Sequence, residues 1–111
     1  MQTILQITYK GMKRSEAIDA AVREKAAKLE QFHPGIVSCR VVIDQPGRHK
    51  HQGKEFSVHI DITVPGGEIA VNRDHDEDIH VAMHEAFDAA RRKLEDYARK
   101  QRGDVKHHDS A

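Results

Sequence analysis

The sequence predicts a two-layer α+β sandwich in the order β-α-β-β-β-α, a four-stranded mixed sheet with two helices on one face. Three observations carry this. The run Phe56-Ser57-Val58-His59-Ile60-Asp61-Ile62-Thr63-Val64 alternates apolar and polar residues without a break, the period of a strand with one dry and one wet face. Two longer stretches, near 15–32 and 77–101, gather their apolar residues on one helical stripe. The first of these helices joins strands one and two in a crossover that makes them parallel neighbours, and the remaining strands follow as an antiparallel meander.

Strand one covers residues 3–9, with Leu5, Ile7 and Tyr9 toward the core, and Gly11 ends it. Ser15 is placed to cap helix one, and Glu16 lies in the first turn, where the helix dipole favours an acid. Ile18, Val22, Leu29 and Phe32 form the stripe of helix one, flanked by Ala21 and Ala26. Lys25 falls inside that stripe, so either its stem runs along the core edge or the packing face is rotated toward Ala26. Pro34-Gly35 stops the helix. Strand two is 36–44, with Val37, Cys39, Val41 and Ile43 inward and Ser38 and Arg40 outward. Residues 45–54 form a basic hairpin tip without an apolar anchor, expected to be mobile. Strand three is the alternating run. Pro65-Gly66-Gly67 turns it into strand four, where Ile69 and Val71 face inward. Asp76 or a neighbour caps helix two, whose stripe is Ile79, Met83, Ala86, Ala90, Leu94 and Tyr97, with Phe87 at its edge. Residues 1–102 make one domain, and 103–111 are expected to be a disordered tail.

Composition narrows the function classes. No apolar run is long enough for a membrane span, and the N-terminus alternates like a strand rather than resembling a signal peptide, which favours the cytoplasm. The single cysteine, Cys39, allows no internal disulfide and reads as a packing thiol. Eighteen basic and eighteen acidic residues give zero formal net charge, so composition alone gives no support to a nucleic-acid partner. A local field can still do so.

No catalytic motif is present: there is no phosphate-binding loop, dinucleotide fingerprint or nucleophile elbow, and no enzyme activity, cofactor or small-molecule substrate is expected. His80 and His84, four apart on helix two with Glu85 or Asp88 nearby, have the spacing of a metal pair but lack the adjacent glutamate of a metalloprotease helix. His49-Lys50-His51 lies on the hairpin tip, a weak chelating arrangement. Asp74, Asp76 and Asp78 have the opening spacing of a calcium loop, but Ile79 stands where its glycine belongs. Helix capping accounts for them better, and no metal site is expected.

The broader signal is distributed basic charge. Lys25 and Lys28 lie on helix one, and Arg91, Arg92, Lys93, Arg99 and Lys100 on helix two. Arg48, Lys50 and Lys54 lie on the hairpin tip. Residues 76–90 contain five acids and no Lys or Arg, whereas 91–102 contain six basic residues and two acids. Pairs four apart, such as Asp88 with Arg92 and Arg91 with Glu95, account for part of this. On an ideal helical wheel Lys28, Lys93 and Lys100 border the buried stripes, which would let them line the groove between the helices. Spaced cations of this kind suit phosphate oxygens. No aromatic pair of the base-stacking kind stands on a strand.

Gly66-Gly67-Glu68-Ile69, the acidic crossing Asp76-Glu77-Asp78, Ile79-His80-Val81-Ala82-Met83 and helix one from Ser15 to Leu29 together resemble the bacterial hibernation-promoting and ribosome-associated inhibitor proteins. The resemblance covers roughly residues 3–102. It implies a fold like the double-stranded RNA-binding domain and a partner in the small ribosomal subunit. There the family occupies the mRNA–tRNA channel, contacts 16S rRNA with basic helix residues and silences translation under stress. Lys25, Lys28 and Arg92 match basic family positions. A family lysine in mid-helix two is replaced here by Ala89, and an arginine near the start of helix one by Asp19; Arg91-Arg92-Lys93 offers compensating charge. Arg48-His49-Lys50-His51-Gln52-Gly53, Val64-Pro65-Gly66-Gly67 and Phe87-Asp88-Ala89-Ala90-Arg91-Arg92 are similar to the branch often followed by a cold-shock domain. No C-terminal dimerisation domain follows in this sequence, so ribosome pairing through one is not expected. The expected function is a non-enzymatic, rRNA-binding translation inhibitor. The alternative is a protein-interaction adaptor using the wet face or edge of the sheet.

Overall fold

The computed structural model describes residues 4–45, 56–76 and 78–110. The elements are β1 (Ile4–Lys10), α1 (Glu16–Phe32), β2 (Ser38–Asp44), β3 (Phe56–Val64), β4 (Gly67–Asp76) and α2 (Ile79–Ser110). The strands lie in the order β1-β2-β3-β4, with β1 and β2 parallel and the other two pairings antiparallel. This is the α+β order and topology that the sequence pattern predicts.

The alternation in β3 translates directly into burial. Val58, Ile60 and Ile62 are fully buried, while Ser57, His59, Asp61 and Thr63 are only half-buried on the opposite face. From β2, Cys39, Val41 and Ile43 join the same layer. Leu5, Ile7 and Tyr9 point the same way but stay half-buried, because β1 is an edge strand. The helices close this layer with Ile18, Val22 and Leu29 from α1 and Ala82, Met83, Ala86, Phe87, Ala90 and Leu94 from α2. Burying each of the larger side chains contributes about 1.5–3 kcal/mol.

Local chemistry sets the element ends. Ser15 is extended (φ −122°, ψ 125°), and its hydroxyl accepts the Ile18 N–H at 3.3 Å. Asp78 performs the same task for α2, accepting the His80 N–H at 2.9 Å. At the β3–β4 turn, Gly66 has φ +85°, and the Tyr97 hydroxyl of α2 donates to the Pro65 carbonyl at 2.8 Å. That bond anchors the turn beneath the helix.

Three expectations need correcting. Phe32 has the right helical phase for the core but is 61% exposed. The residue that enters the core at this end is Ile36, turned inward as its N–H bonds the His33 carbonyl at 3.2 Å. The same turn breaks the alternation before β2, so Val37 is 49% exposed although its backbone bonds to both Ile4 and Thr63. Finally, α2 continues to Ser110 rather than ending near residue 101. Gly103 is the weakest helix former in this stretch, and the ~1 kcal/mol cost of a single glycine is not a stop signal.

Candidate nucleic-acid interface

The basic residues of α2 divide between its two flanks. At 100° per residue, Arg91 and Lys93 stand far apart around the axis. Arg91 faces α1. Lys93 faces β4, where its ammonium donates to the Ala70 carbonyl at 2.9 Å.

The groove between the helices is a hollow of about 200 Å³ lined by Lys25, Lys28, Leu29, Phe32, His84, Phe87, Asp88 and Arg91. Its charged lining is three cations against one carboxylate. Lys25 is half-buried and Lys28 is exposed. The guanidinium of Arg91 lies over the Phe32 ring, 5.8 Å from its centroid. It also donates to Asp88 at 3.4 Å and Glu95 at 3.3 Å. Arg92 stands beside it and binds Asp88 at 2.7 Å. The two guanidiniums, Arg92 foremost and then Arg91, hold the Asp88 carboxyl below the usual aspartate range.

The opposite flank of α2 is balanced. A second hollow there, of about 310 Å³, is lined by Glu68, Ile69, Ala70, Lys93, Asp96, Tyr97 and Lys100, two cations against two carboxylates. Arg99 is paired with Asp96. The expectation that Lys93 and Lys100 line the interhelical groove is therefore corrected, because they border the buried stripe on its other side. Of the sequence candidates, Lys25, Lys28 and Arg91 come together, Arg92 reaches the groove only through its bond to Asp88, and Lys93, Arg99 and Lys100 do not join them. Arg48, Lys50 and Lys54 lie outside the described residues.

Two further polar clusters bear on what else the fold can do. Asp19, only 7% exposed, accepts the Tyr9 hydroxyl at 2.9 Å and Arg14 at 2.6 Å, with Arg23 at 4.0 Å. These bonds, that from Arg14 first, depress its pKa. Asp19 thus ties the start of α1 to β1. On the wet sheet face, His59 bonds Asn72 and also Asp61 at 3.0 Å, and Arg40 reaches Asp61 at 3.6 Å. The Asn72 bond, followed by Asp61, raises the His59 pKa. Cys39 is 2% exposed, and burial pushes its thiol to about 11, consistent with a packing role.

Among the described residues, no group of three or more His, Cys, Asp or Glu side chains is arranged to hold a metal ion. No described helix is long and apolar enough to cross a membrane. Sequence reasoning missed Phe32 as a surface residue. The signal available was its position as the last residue of α1, just before the Pro34-Gly35 stop, where a helix face can run past its partner.

Two solved structures share the fold. The N-terminal domain of Thermus thermophilus Protein Y is 22% identical, with a TM-score of 0.73 over 86% of this chain and 99% of that one. A ribosomal subunit interface protein from Coxiella burnetii is 14% identical, with a TM-score of 0.75 over 86% of this chain and 98% of that one. No curated protein matched the chain. The sequence profile described as sigma 54 modulation protein / S30EA ribosomal protein matches residues 5–102, nearly the whole sheet-and-helix unit, and the chain belongs to that family.

Proposed function

We propose that this chain is a ribosome-associated translation inhibitor, a hibernation factor that binds small-subunit 16S rRNA in the mRNA–tRNA channel through its interhelical groove. The observation that carries this reading, beside family membership, is the charge of the groove. A chain of zero net charge concentrates three cations against one carboxylate there, while the other flank of α2 is balanced. Lys25 and Lys28 form no ion pair among the described residues, so both ammonium groups remain available to phosphate oxygens. One structural neighbour, a ribosomal subunit interface protein, agrees with this partner. Such a protein works in the bacterial cytoplasm under slow growth or stress. It acts by occupancy rather than catalysis: a domain held in the channel excludes mRNA and tRNA.

The test is sucrose-gradient sedimentation of the purified chain with bacterial small ribosomal subunits at several salt concentrations. Stoichiometric co-migration that weakens steeply with salt is expected, because phosphate contacts release counterions. A chain that stays at the top of the gradient at low salt overturns the proposal.

A further inference from the structure

We propose that the interhelical groove is a stacking site for one unpaired RNA base, which docks against Phe32 and Arg91 while Lys25 and Lys28 hold its flanking phosphates. The inference rests on the ribosomal reading above and specifies the chemistry that the groove recognises: single-stranded nucleotide rather than duplex backbone alone.

Phe32 is the residue out of place. A single exposed apolar side chain is ordinary. Here the 61% exposed ring opens onto the same small hollow as Phe87, Lys25, Lys28 and Arg91. The core does not use this ring, because Ile36 enters the core at this end of α1. Arg91 is steadied at 5.8 Å over the ring by its bonds to Asp88 and Glu95. Its orientation is therefore set before a ligand arrives, which lowers the cost of ordering the site on binding. A planar guanidinium beside an aromatic face is a pairing on which unstacked bases settle.

Size and charge narrow the occupant. At about 200 Å³ the hollow is smaller than the roughly 300–1,000 Å³ of typical small-molecule pockets. It suits one planar group with the remainder of the ligand outside. The two lysines, three apart on α1 and both lining the hollow, complement the phosphates that accompany such a group in a strand. An acidic peptide would answer the lysines but leave the aromatic face without a partner. A duplex read by its phosphates would use the lysines and make no demand on Phe32.

The test compares wild type with Phe32→Ala, Phe32→Leu and Phe32→Trp in binding to purified bacterial small ribosomal subunits, across a salt series. Alanine should weaken binding by about 5- to 150-fold, the range for loss of one base stack, with the salt slope unchanged because no charge is removed. Leucine keeps an apolar side chain but has no π face, and should weaken binding nearly as much. The Trp variant should bind at least as tightly as wild type. Titrated with a short single-stranded oligoribonucleotide, which carries no tryptophan, its fluorescence should be quenched on binding, a signal from position 32 alone since the chain has no tryptophan. Leucine or alanine variants that bind like wild type overturn the stacking site and leave the ribosomal reading standing. A wild-type chain that fails to bind small subunits overturns that reading, and the inference with it. Thermal melts matching wild type, expected for so exposed a position, separate either result from misfolding.

Discussion

Removing the two groove lysines together, Lys25→Ala with Lys28→Ala, should flatten the salt dependence of small-subunit binding, whereas Lys93→Ala with Lys100→Ala should leave it nearly unchanged. The distinction follows from placement. Lys25 and Lys28 line a hollow with a cationic excess, while Lys93 and Lys100 share theirs with Glu68 and Asp96, and Lys93 already donates to the Ala70 carbonyl. Each phosphate contact contributes about 0.7 (single strands) to 0.9 (duplex) to the slope of log affinity against log salt, so losing two flattens it by about 1.4–1.8. Between 50 and 200 mM salt, a change of about 0.6 in the logarithm, wild type should lose about 7- to 12-fold more affinity than the groove variant. Sedimentation or fluorescence anisotropy at four salt concentrations measures both slopes. A groove variant with the wild-type slope, or a Lys93/Lys100 variant flattened as much, would refute the assignment of the interface to the α1-facing flank of α2.

Three further outcomes test the fold around the groove. Gly11→Ala should destabilise the domain by about 2–3 kcal/mol, combining the ~1–2 kcal/mol of a left-handed residue with the ~1 kcal/mol of a disturbed hydrogen bond. Gly11 has φ +73°, a Cβ there would meet the Gln45 carbonyl oxygen at 2.6 Å, and the Gln45 N–H donates to Lys10 at 3.0 Å; urea denaturation reads the loss. Asp19→Asn should be less stable than wild type at neutral pH, with the difference closing in acid. The folded carboxyl titrates below its ordinary 3.8, so its stabilisation is fully present above that pH and disappears as pH falls through the lower folded value, which an acid titration followed by circular dichroism will show. Deleting residues 103–111 should leave thermal stability within about 0.5 kcal/mol of wild type, as for surface changes remote from the core, since the buried residues of α2, among the described side chains, end at Leu94. A clear fall in the melting temperature would extend the folded domain beyond residue 102.

The sheet was legible because burial on one face writes itself into the sequence with period two. The half-buried edge residues Leu5, Ile7 and Tyr9 take the expected face for the same reason. Helix phase was legible too, but phase gives a direction and not a neighbour. Phe32 points along the stripe of Val22 and Leu29, and only the turn that brings Ile36 inward decides which of the two residues is covered. Lys93 and Lys100 show the same limit. A buried stripe has two borders, and a wheel cannot say which faces α1 and which faces β4. Asp19 was legible only as an acid where the resemblance leads one to expect an arginine, because its partner Tyr9 reaches it across ten residues of chain. The groove was therefore half visible: its cations could be named, but its aromatic lip required the turn that brings Ile36 inward, and the exclusion of Lys93 required the packing of α2 against β4.

Zero net charge and a cationic groove are reconciled by which cations the acids neutralise. Every arginine with a described side chain lies within 4.0 Å of a carboxylate: Arg14 and Arg23 at Asp19, Arg40 at Asp61, Arg91 and Arg92 at Asp88, and Arg99 at Asp96. The lysines with described side chains form no such pair. Several of these arginine pairs have helical spacings of three or four, where the acid is in reach from the moment the helix forms. The arginines are thus mostly engaged in fixing the surface, and the free positive field belongs to the lysines. Screening confines that field to about 8–10 Å at ordinary ionic strength, so distant acids elsewhere on the domain subtract little from it. What a phosphate meets in the groove is the local excess around Lys25 and Lys28, beside an arginine already oriented by its own carboxylates. A neutral chain with this distribution should bind where shape brings RNA into the groove and bind weakly to unstructured polyanions. A uniformly basic domain of the same fold would attract both.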